Sequence, residues 1–361
     1  MAGFESSLLK DLVAATGNEF AGLASEEEKF NTMNWIDTGS YALNALLSGS
    51  IYRGAPDNKI VGFSGEEATG KTFFTLACVK HFLDNNPGSI VALFETEHSV
   101  DSKTISSRGI DPKRVAIFPV GTVQEFRHQA LSLLDKYLSK PKESRPRILI
   151  VLDSLAMLSS DAEVRKAEEG TDTKDFTLFQ VSKATFRVLT LKLGKHCVPM
   201  YLTTHTYANL GGYGETSKVA GGSGFKYAAS TIVNLSKAKY KEDKDAREHD
   251  GAVITCKLQK SRSTREGQFV KVLLHHQRGL DRYYGLLDIA EECGVIKKVG
   301  GKYIFPDGTP DGLKAKSEKD IINNPEKYFT KAVLDEIDKH CGEKFNYGGG
   351  LDESVEADNE E

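Results

Sequence analysis

A phosphate-binding loop pattern, G-x-x-x-x-G-K-[ST], is met at every fixed position by Gly65-Glu66-Glu67-Ala68-Thr69-Gly70-Lys71-Thr72. The apolar residues 59–64 before it are expected to form a short buried strand, and residues 73–83 after it a helix. In such a loop, backbone N–H groups and the helix N-terminus surround phosphate oxygens. Lys71 is expected to reach the β- and γ-phosphates and Thr72 to hold Mg²⁺. The stretch from Gly65 to Phe73 is therefore predicted to bind a nucleotide.

Composition favours a packed protein rather than a disulfide-rich or membrane-spanning one. The 361 residues are 39% hydrophobic and 27% charged, enough for one large domain with accessories or for two domains. No apolar run approaches the roughly 20 residues of a membrane span, and the N-terminus lacks a signal-peptide pattern. The five cysteines are widely spaced without a C-x-x-C pair, which argues against a zinc site or disulfide framework and fits a cytoplasmic location.

Net charge is -4, which gives no global indication of nucleic-acid binding. Six acids lie in the last ten residues, from Asp352 to Glu361. We expect residues 351–361 to be a disordered acidic tail, which could mask the charge of the folded part. Simple solubility and a regulatory role both explain such a tail.

Continuous apolar stretches alternate with helical patterns in the first two thirds of the chain. Strands are predicted at 59–64, 90–94, 148–152 and 199–204, with helices at 124–137 and 176–193. This alternation predicts an α/β fold with a mostly parallel sheet and helices on both faces. Three further stretches, 231–235, 252–258 and 269–275, follow without intervening helices, so the sheet should have an antiparallel edge.

The two ends of the chain predict smaller units around a core of residues 35–285. Residues 1–34 carry a helical apolar stripe that includes Phe4 and Leu8, and it could pack on its own domain or on a neighbouring subunit. Ser40 is a plausible cap for a short helix over 41–47. Residues 286–350, with helices at 286–293 and 324–340 and a strand and turn at 302–308, predict a small α+β module.

Polar residues follow three of the predicted strands, where a parallel sheet lines its ligand crevice. Asp153 could hold Mg²⁺ or merely cap the next segment. Glu95 and Glu97 both qualify by position to orient an attacking water, and one of them could instead pair with a basic neighbour. His205 could sense the γ-phosphate or be an ordinary surface histidine.

Two polar segments and one basic turn have less specific signals. Residues 206–223 are too glycine-rich for helix or strand and predict a ligand-responsive loop, and 159–174 predicts a second, charged loop. Their cations could grip a phosphate backbone or simply be solvated. Lys260 and Arg262, far from the phosphate loop in sequence, could complete an ATP site from an adjacent subunit or form an exposed basic turn.

Together these stretches resemble the RecA-type DNA strand-exchange recombinases, and within them the bacteriophage UvsX type, over about residues 35–300. The similarity rests on the order and spacing of Thr38-Gly39-Ser40, Glu95-Thr96-Glu97-His98, Leu152-Asp153-Ser154, Thr204-His205-Thr206-Tyr207, Gly221-Gly222-x-x-x-Lys226-Tyr227-x-Ala229-Ser230, Lys260-Ser261-Arg262 and Tyr284-Gly285. One departure is Thr104, which stands where the family has an adenine-stacking tyrosine; Asp101 is then the expected base contact.

The resemblance implies a RecA-like P-loop ATPase core that uses ATP and Mg²⁺. It makes Glu97 the catalytic carboxylate, acting with Lys71 and His205, and it assigns Lys260 and Arg262 to ATP across a protomer interface. The helix with Phe4 and Leu8 would pack on the next protomer, and Tyr227 would lie in the same interface. The residues it implies for DNA binding are Arg165, Lys166, Arg187, Tyr207, Gly211, Gly212, Lys218, Gly221, Gly222 and Ser223.

The implied function is an ATP-dependent homologous recombinase, a DNA-dependent ATPase that assembles as a helical filament on single-stranded DNA and pairs it with a homologous duplex. Further implied partners are a loading mediator and a single-stranded-DNA-binding protein, in the cytoplasm of the host cell. One alternative is a hexameric helicase, although about 60 residues before the loop leave little room for an N-terminal collar. The other is a nucleotide-switched binding module. The presence of both Glu97 and Asp153 argues against it.

Overall fold

The computed structural model describes residues 2–26, 34–171, 177–208, 217–219, 222–241, 249–306 and 315–347. Within them the strands are β1 (Trp35–Ile36), β2 (Ala55–Pro56), β3 (Ile60–Gly65), β4 (Ile90–Glu95), β5 (Val115–Pro119), β6 (Ile148–Asp153), β7 (Met200–Ala208), β8 (Ser217–Val219), β9 (Thr231–Tyr240), β10 (Gly251–Ser261), β11 (Phe269–His275), β12 (Gly279–Leu280), β13 (Lys297–Val299) and β14 (Lys302–Ile304). The α-helices are α1 (Ala2–Ala15), α2 (Tyr41–Ser48), α3 (Lys71–Asn85), α4 (Ser102–Ser107), α5 (Val123–Leu138), α6 (Asp161–Glu168), α7 (Thr177–Lys195), α8 (Gly222–Ala228), α9 (Leu286–Glu292), α10 (Glu318–Asn323), α11 (Pro325–Tyr328) and α12 (Lys331–Phe345).

One large sheet organises the chain, in the order β12-β11-β10-β9-β3-β7-β6-β4-β5, with β8 added beside β7. The pairs from β9 through β5 are parallel, and β9 to β12 pair antiparallel. The predicted α/β fold, with a mostly parallel sheet and an antiparallel edge, is confirmed. The edge strand β5 was not among the predicted strands.

Both faces of the sheet are buried, and alternate side chains of the central strands enter different cores. In β6, Leu149 and Val151 belong to the core that includes α2 and α3. Ile148, Ile150 and Leu152 of the same strand belong to the core with α5 and α7. Burial on both faces explains why the strand reads as a continuous apolar run rather than as an alternating pattern.

The N-terminal helix α1 presents part of its apolar stripe to solvent. Leu8, Leu9 and Leu12 are each about half exposed. The segment that follows α1 packs on the chain's own α7, because the Phe20 ring meets His196 edge-on at 5.4 Å and lies 4.8 Å from the Lys195 Nζ. An exposed leucine stripe is available for a further packing partner.

The C-terminal elements share the core of α2 rather than forming a separate one. Phe345 and Cys341 of α12 are fully buried in that cluster. Asp338 accepts hydrogen bonds from the Ser50 hydroxyl at 2.6 Å and from the Ile51 N–H at 2.7 Å. The boundaries at 34, 285 and 350 stay predictions, and the acidic tail lies outside the described residues.

Three predicted segments are wrong in part. The charged loop over 159–174 contains helix α6, which begins with a capping box in which Ser160 and Glu163 satisfy each other's backbone N–H groups. The glycine-rich loop over 206–223 is partly regular, since β7 runs to Ala208 and pairs with β8; residues 209–216 and 220–221 lie outside the described residues. The single helix predicted over 324–340 is divided into α11 and α12, because Pro325 starts a short helix that ends before Thr330.

Candidate active site

Four adjacent parallel strands meet at the candidate site, where β3, β4 and β6 end and β7 continues to Ala208. Gly65 at the end of β3 pairs with His205 of β7, and Glu95 at the end of β4 pairs with Asp153 of β6. Because the strands are parallel, their carboxyl ends lie along one edge of the sheet. Side chains far apart in sequence therefore meet over a single crevice, as the sequence predicted.

The phosphate loop bends from β3 into α3. Gly70 has a φ of +84°, a left-handed conformation that favours glycine, and a Cβ there would meet only open space. Lys71 is the first residue of α3 and is buried. Its Nζ donates to the carbonyl oxygens of Gly65 at 3.2 Å and Glu66 at 2.8 Å. The lysine is thus held folded back over the loop, where a phosphate group would meet it.

The loop opens into a cavity of about 680 Å³. The cavity is lined by residues from the phosphate loop and from the ends of β4, β6 and β7: Glu67, Ala68, Gly70, Lys71, Thr72, Glu97, Asp153, Ser154, Met157, His205 and Thr206. The predicted catalytic residues Glu97, Lys71 and His205 therefore share one cavity with both predicted Mg²⁺ residues, Thr72 and Asp153.

The structure separates the two candidate acids at the end of β4. Glu95 is buried, and its carboxylate accepts hydrogen bonds from the backbone N–H groups of Glu97 at 3.2 Å, His98 at 2.6 Å and Ser99 at 2.8 Å. Those bonds hold the turn that follows the strand. Glu97 instead lines the cavity and accepts a hydrogen bond from the Ser154 hydroxyl at 3.1 Å. Of the two carboxylates, Glu97 is therefore the one that a ligand in the cavity would meet.

Asp153 lies at the floor of the cavity and is almost fully buried. The Thr203 hydroxyl donates a hydrogen bond to it. Burial raises the pKa of the Asp153 carboxyl. The neighbouring charges of Glu97 and Glu95 act in the same direction, because like charges disfavour ionisation.

Lys71 and His205 connect the loop to the sheet. The Lys71 Nζ lies 3.4 Å from Nδ1 of His205, and Nε2 of the same imidazole lies 3.8 Å from a Glu97 carboxylate oxygen. Burial lowers the pKa of the Lys71 ammonium, while the charges of Asp153 and Glu97 oppose that change. The cavity thus carries a desolvated cation and a desolvated anion a short distance apart.

This donor set fits a nucleotide-bound Mg²⁺. Hard divalent cations prefer oxygen ligands, and Thr72 and Asp153 offer a hydroxyl and a carboxylate in the same cavity. A cation there would offset the charge that burial disfavours on Asp153. The loop N–H groups and Lys71 supply the positive groups that phosphates require.

Several other predicted nucleotide contacts lie outside the residues that line the cavity. Asp101 caps α4 by accepting a hydrogen bond from the Thr104 N–H at 2.6 Å. The Lys260 ammonium donates to the carbonyl oxygens of Lys226 and Ala229, the latter at 2.8 Å. Arg262 donates to the Tyr227 carbonyl at 3.1 Å and is exposed. Lys260 and Arg262 are therefore gathered at the C-terminal end of α8 rather than at this chain's own cavity.

The predicted DNA-binding residues fall on α6, on α7 and around β8. Arg165 and Lys166 are in the last turn of α6, and Arg187 is exposed on α7. For the backbone of Tyr207 in β7, Lys218 in β8, and Gly222 and Ser223 in α8, the structure gives the element only. Gly211, Gly212 and Gly221 lie outside the described residues. Among the interface residues, Tyr227 is 70% exposed, and the side chain of Phe4 is outside the described part.

Sequence reasoning missed three residues that contact the predicted ones or line the same cavity. Ser154 orients Glu97, Thr203 orients Asp153, and Met157 lines the cavity. Ser154 follows Asp153 directly in the motif that carried the resemblance, so its position was a usable signal. Thr203 is an inner residue of a buried strand, and nothing in the sequence places it beside Asp153.

Two observations bear on the nature of the chain as a whole. Within the described residues, no helix combines the length and the apolar character needed to cross a membrane. All five cysteines are free thiols.

Comparison with known proteins identifies the family. The RecA N-terminal domain family matches residues 12–281. A recombination and repair protein of Enterobacteria phage T4 is 26% identical over 299 residues, which cover 82% of this chain and 74% of the phage protein. Protein RecA of Malacoplasma penetrans (strain HF-2) is 25% identical over 324 residues, 87% of this chain and 94% of that protein. The resemblance to RecA-type recombinases is thus confirmed, and the chain belongs to the RecA family.

Proposed function

We propose that this chain is an ATP-dependent recombinase that acts on DNA in recombination and repair, with Glu97, Lys71 and His205 as its catalytic residues. The observation that supports these assignments best is the convergence of all three on the cavity that also contains Thr72 and Asp153. A binding module that only senses nucleotide does not need a free carboxylate opposite the phosphate-loop lysine. The cavity is therefore built for hydrolysis.

Glu97 is proposed to orient the attacking water and to accept its proton at a carboxylate oxygen. Ser154 keeps this carboxylate pointed into the cavity. Lys71 supplies positive charge to the terminal phosphate as negative charge develops there. Mg²⁺, held through Thr72 and Asp153, would neutralise charge on the β- and γ-phosphates.

His205 is proposed to report the state of the γ-phosphate to the DNA-binding segments. It contacts the lysine and faces Glu97, and it precedes the last three residues of β7, which pair with β8. A change in the hydrogen bonds of its imidazole on hydrolysis would act on that ladder directly. Residues 159–174 and 206–222 are proposed as the two segments that grip the DNA backbone.

Assembly into a helical filament on single-stranded DNA is proposed to complete each ATP site. Lys260 and Arg262 lie with exposed Tyr227 at one end of α8, away from the chain's own cavity. Because neither residue lines the chain's own cavity, these cations are proposed to reach the ATP of a neighbouring protomer. The exposed leucine stripe of α1 would pack on a neighbour in the same filament. Homologous duplex DNA, a loading mediator and a single-stranded-DNA-binding protein are the further proposed partners, in the host cytoplasm.

The decisive experiment measures steady-state ATP hydrolysis with and without single-stranded DNA, at low and at high salt. We expect strong stimulation by single strands that fades as salt rises, because contacts to phosphates release counterions. Pairing of a labelled single strand with a homologous duplex should follow under the same conditions. Turnover that is indifferent to DNA would contradict the proposal, and directional unwinding of a forked duplex without strand exchange would favour a helicase.

A further inference from the structure

The guanidinium of Arg108 lies over the aromatic ring that follows the phosphate loop. Its guanidinium carbon is 3.6 Å from the centre of the Phe73 ring, a closer approach than the 5.8 Å between Arg53 and Trp35. Phe73 comes directly after Thr72 in α3, and both side chains of the pair are partly exposed. A planar cation is thus in close contact with a ring at the start of α3.

The phosphate loop fixes which end of a nucleotide meets this pair. Glu97, His205 and Lys71 mark the γ-phosphate end of the cavity, and loop N–H groups hold the α- and β-phosphates. The nucleoside has to leave the loop on the other side of the α-phosphate. Phe73 directly follows Thr72 in α3 and has Arg108 over its ring, so this pair is next to the loop although neither residue lines the cavity.

The Arg108 guanidinium has few hydrogen-bond partners among the described residues around it. Arg108 Nη1 is 3.5 Å from the His276 carbonyl oxygen, at the limit of a hydrogen bond, and its buried Nε has no partner among the described residues. Burial lowers the pKa of this guanidinium. Arg282 also lies over an aromatic ring, that of Tyr41, but it has a carboxylate partner, since it forms an ion pair with Asp37 at 2.6 Å. Arg108 is therefore a partly buried cation without a carboxylate partner among the described residues.

The backbone holds Arg108 in place. It caps α4, and its N–H donates to the carbonyl oxygens of Ile105 and Ser106. Thr104, one turn earlier on the same helix, has no ring with which to cover a base. Guanidinium planes stack on aromatic rings and on nucleobases, because both present a flat, polarizable face.

We propose that the Phe73–Arg108 stack is the platform on which the base of the nucleotide lies, with Arg108 in direct contact with a purine ring. This inference rests on the proposed function and deepens it, because it names the residue that binds the base. Stacking depends on ring area and not on exocyclic groups. The platform therefore favours purine over pyrimidine nucleotides and discriminates little between adenine and guanine.

The test is equilibrium binding of ADP, CDP and inorganic triphosphate to the full chain by calorimetry, without DNA. Arg108→Ala should weaken ADP binding by about ten-fold, CDP binding less, and inorganic triphosphate by no more than about two-fold. Arg108→Lys keeps the charge but loses the plane, so it should behave like Arg108→Ala. Lys103→Ala, which removes an exposed cation from α4, is the matched control and should bind ADP like the original chain.

Each other outcome overturns the proposal. Equal losses for ADP and inorganic triphosphate would make Arg108 a phosphate contact, and unchanged ADP binding would remove it from the site. Full ADP affinity in Arg108→Lys would show that charge rather than stacking matters. If Arg108→Ala loses cooperative thermal unfolding, Arg108→Lys carries the test alone. Because the readout is binding, absence of DNA-stimulated turnover would contradict the proposed function without deciding this point.

Discussion

The Nζ of Lys71 lies 3.4 Å from Nδ1 of His205, so the phosphate loop and the end of β7 meet directly. Glu97 approaches the other nitrogen of the same imidazole at 3.8 Å. A ligand that reorients either neighbour must change the hydrogen bonding of His205. This contact is the basis for proposing that His205 couples the cavity to the strand that leads into the proposed DNA-binding segment.

Replacing Glu97 should mainly lower ATP turnover, whereas replacing Glu95 should mainly lower stability. Glu97→Gln should lower ATP turnover by about 10²–10⁴-fold, since a general base is lost, while nucleotide binding and thermal stability stay near those of the original chain. Glu95→Gln should instead destabilise the fold by about 1–3 kcal/mol, because a buried carboxylate that accepts backbone N–H groups becomes an amide. Steady-state turnover and urea unfolding of both variants are the measurements. If Glu95→Gln loses as much turnover as is expected of Glu97→Gln and keeps its stability, Glu95 and not Glu97 is the catalytic carboxylate.

Mixing two inactive variants should restore activity if the ATP site is shared between protomers. Lys71→Ala should abolish turnover by its own site, and Arg262→Ala should lose DNA-stimulated turnover because the neighbour's site lacks its cation. In a mixed filament, a Lys71→Ala protomer supplies Arg262 to the intact loop of an Arg262→Ala protomer. We expect partial recovery of DNA-stimulated turnover that depends on the mixing ratio.

The control for this experiment is the double variant with both substitutions in one chain, mixed with Arg262→Ala. It contributes no arginine and should rescue nothing. Recovery in this control, or none in the original mixture, would argue against a shared site.

Gly39 is expected to tolerate no side chain. Its φ is +91°, and a Cβ there would lie 2.0 Å from the His81 ring. Gly39→Ala should cost about 2–4 kcal/mol of unfolding free energy, from backbone strain and the steric clash together. Gly88→Ala is the control, because Gly88 has a φ of +78° with no atom within 4 Å of its Cβ position. It should cost about 1 kcal/mol from strain alone.

A second variant separates the clash from the strain at Gly39. His81→Ala combined with Gly39→Ala should recover the clash part of the loss, as a double-mutant cycle would measure by urea unfolding. If the two substitutions are additive, the contact between Gly39 and His81 does not limit the packing of this turn.

The ion pair of Asp37 with Arg282 should make stability depend on pH. Burial by itself raises the pKa of the Asp37 carboxyl, but the hydrogen bonds and charge of Arg282 outweigh it, so that this pKa lies below its usual value. The ionised group therefore stabilises the fold above its unfolded pKa of about 3.9. This contribution is lost as the pH falls through the lower pKa of the folded state.

Asp37→Asn should accordingly lower the unfolding free energy by about 2 kcal/mol at neutral pH, a value discounted for the partial exposure of the pair. The difference from the original chain should narrow from about pH 5 towards about pH 3, measured by urea unfolding. Asp11→Asn, which changes an exposed carboxylate on α1, should show little difference across the series. If Asp37→Asn lowers the free energy of unfolding by the same amount at every pH, the shape of the Asp37 side chain and not its charge stabilises the fold.

Local patterns in the sequence were enough to predict the phosphate loop, the central strands and the polar residues at the strand ends. The prediction succeeded because a phosphate loop has fixed glycine and lysine spacing, and because strands buried on both faces read as continuous apolar runs. Helix α6 could also have been predicted, since Ser160 and Glu163 have the spacing of a capping box. Edge strand β5 is half-exposed and has a weaker signal.

The sequence alone determined that this chain has a nucleotide-binding α/β core, because those signals are local and each needs only a few neighbouring residues. Position alone left Glu95 and Glu97 equivalent and only the resemblance named Glu97, whereas the tertiary structure shows that Glu97 lines the cavity and Glu95 does not. The two acids are two residues apart, and both follow or end the same strand. They differ because the backbone N–H groups of the next turn donate hydrogen bonds to the Glu95 carboxylate. The contact of Thr203 with Asp153 and the stack of Arg108 on Phe73 likewise join residues 50 and 35 positions apart. Such pairs exist only once the chain has folded, because packing and not sequence spacing brings them together.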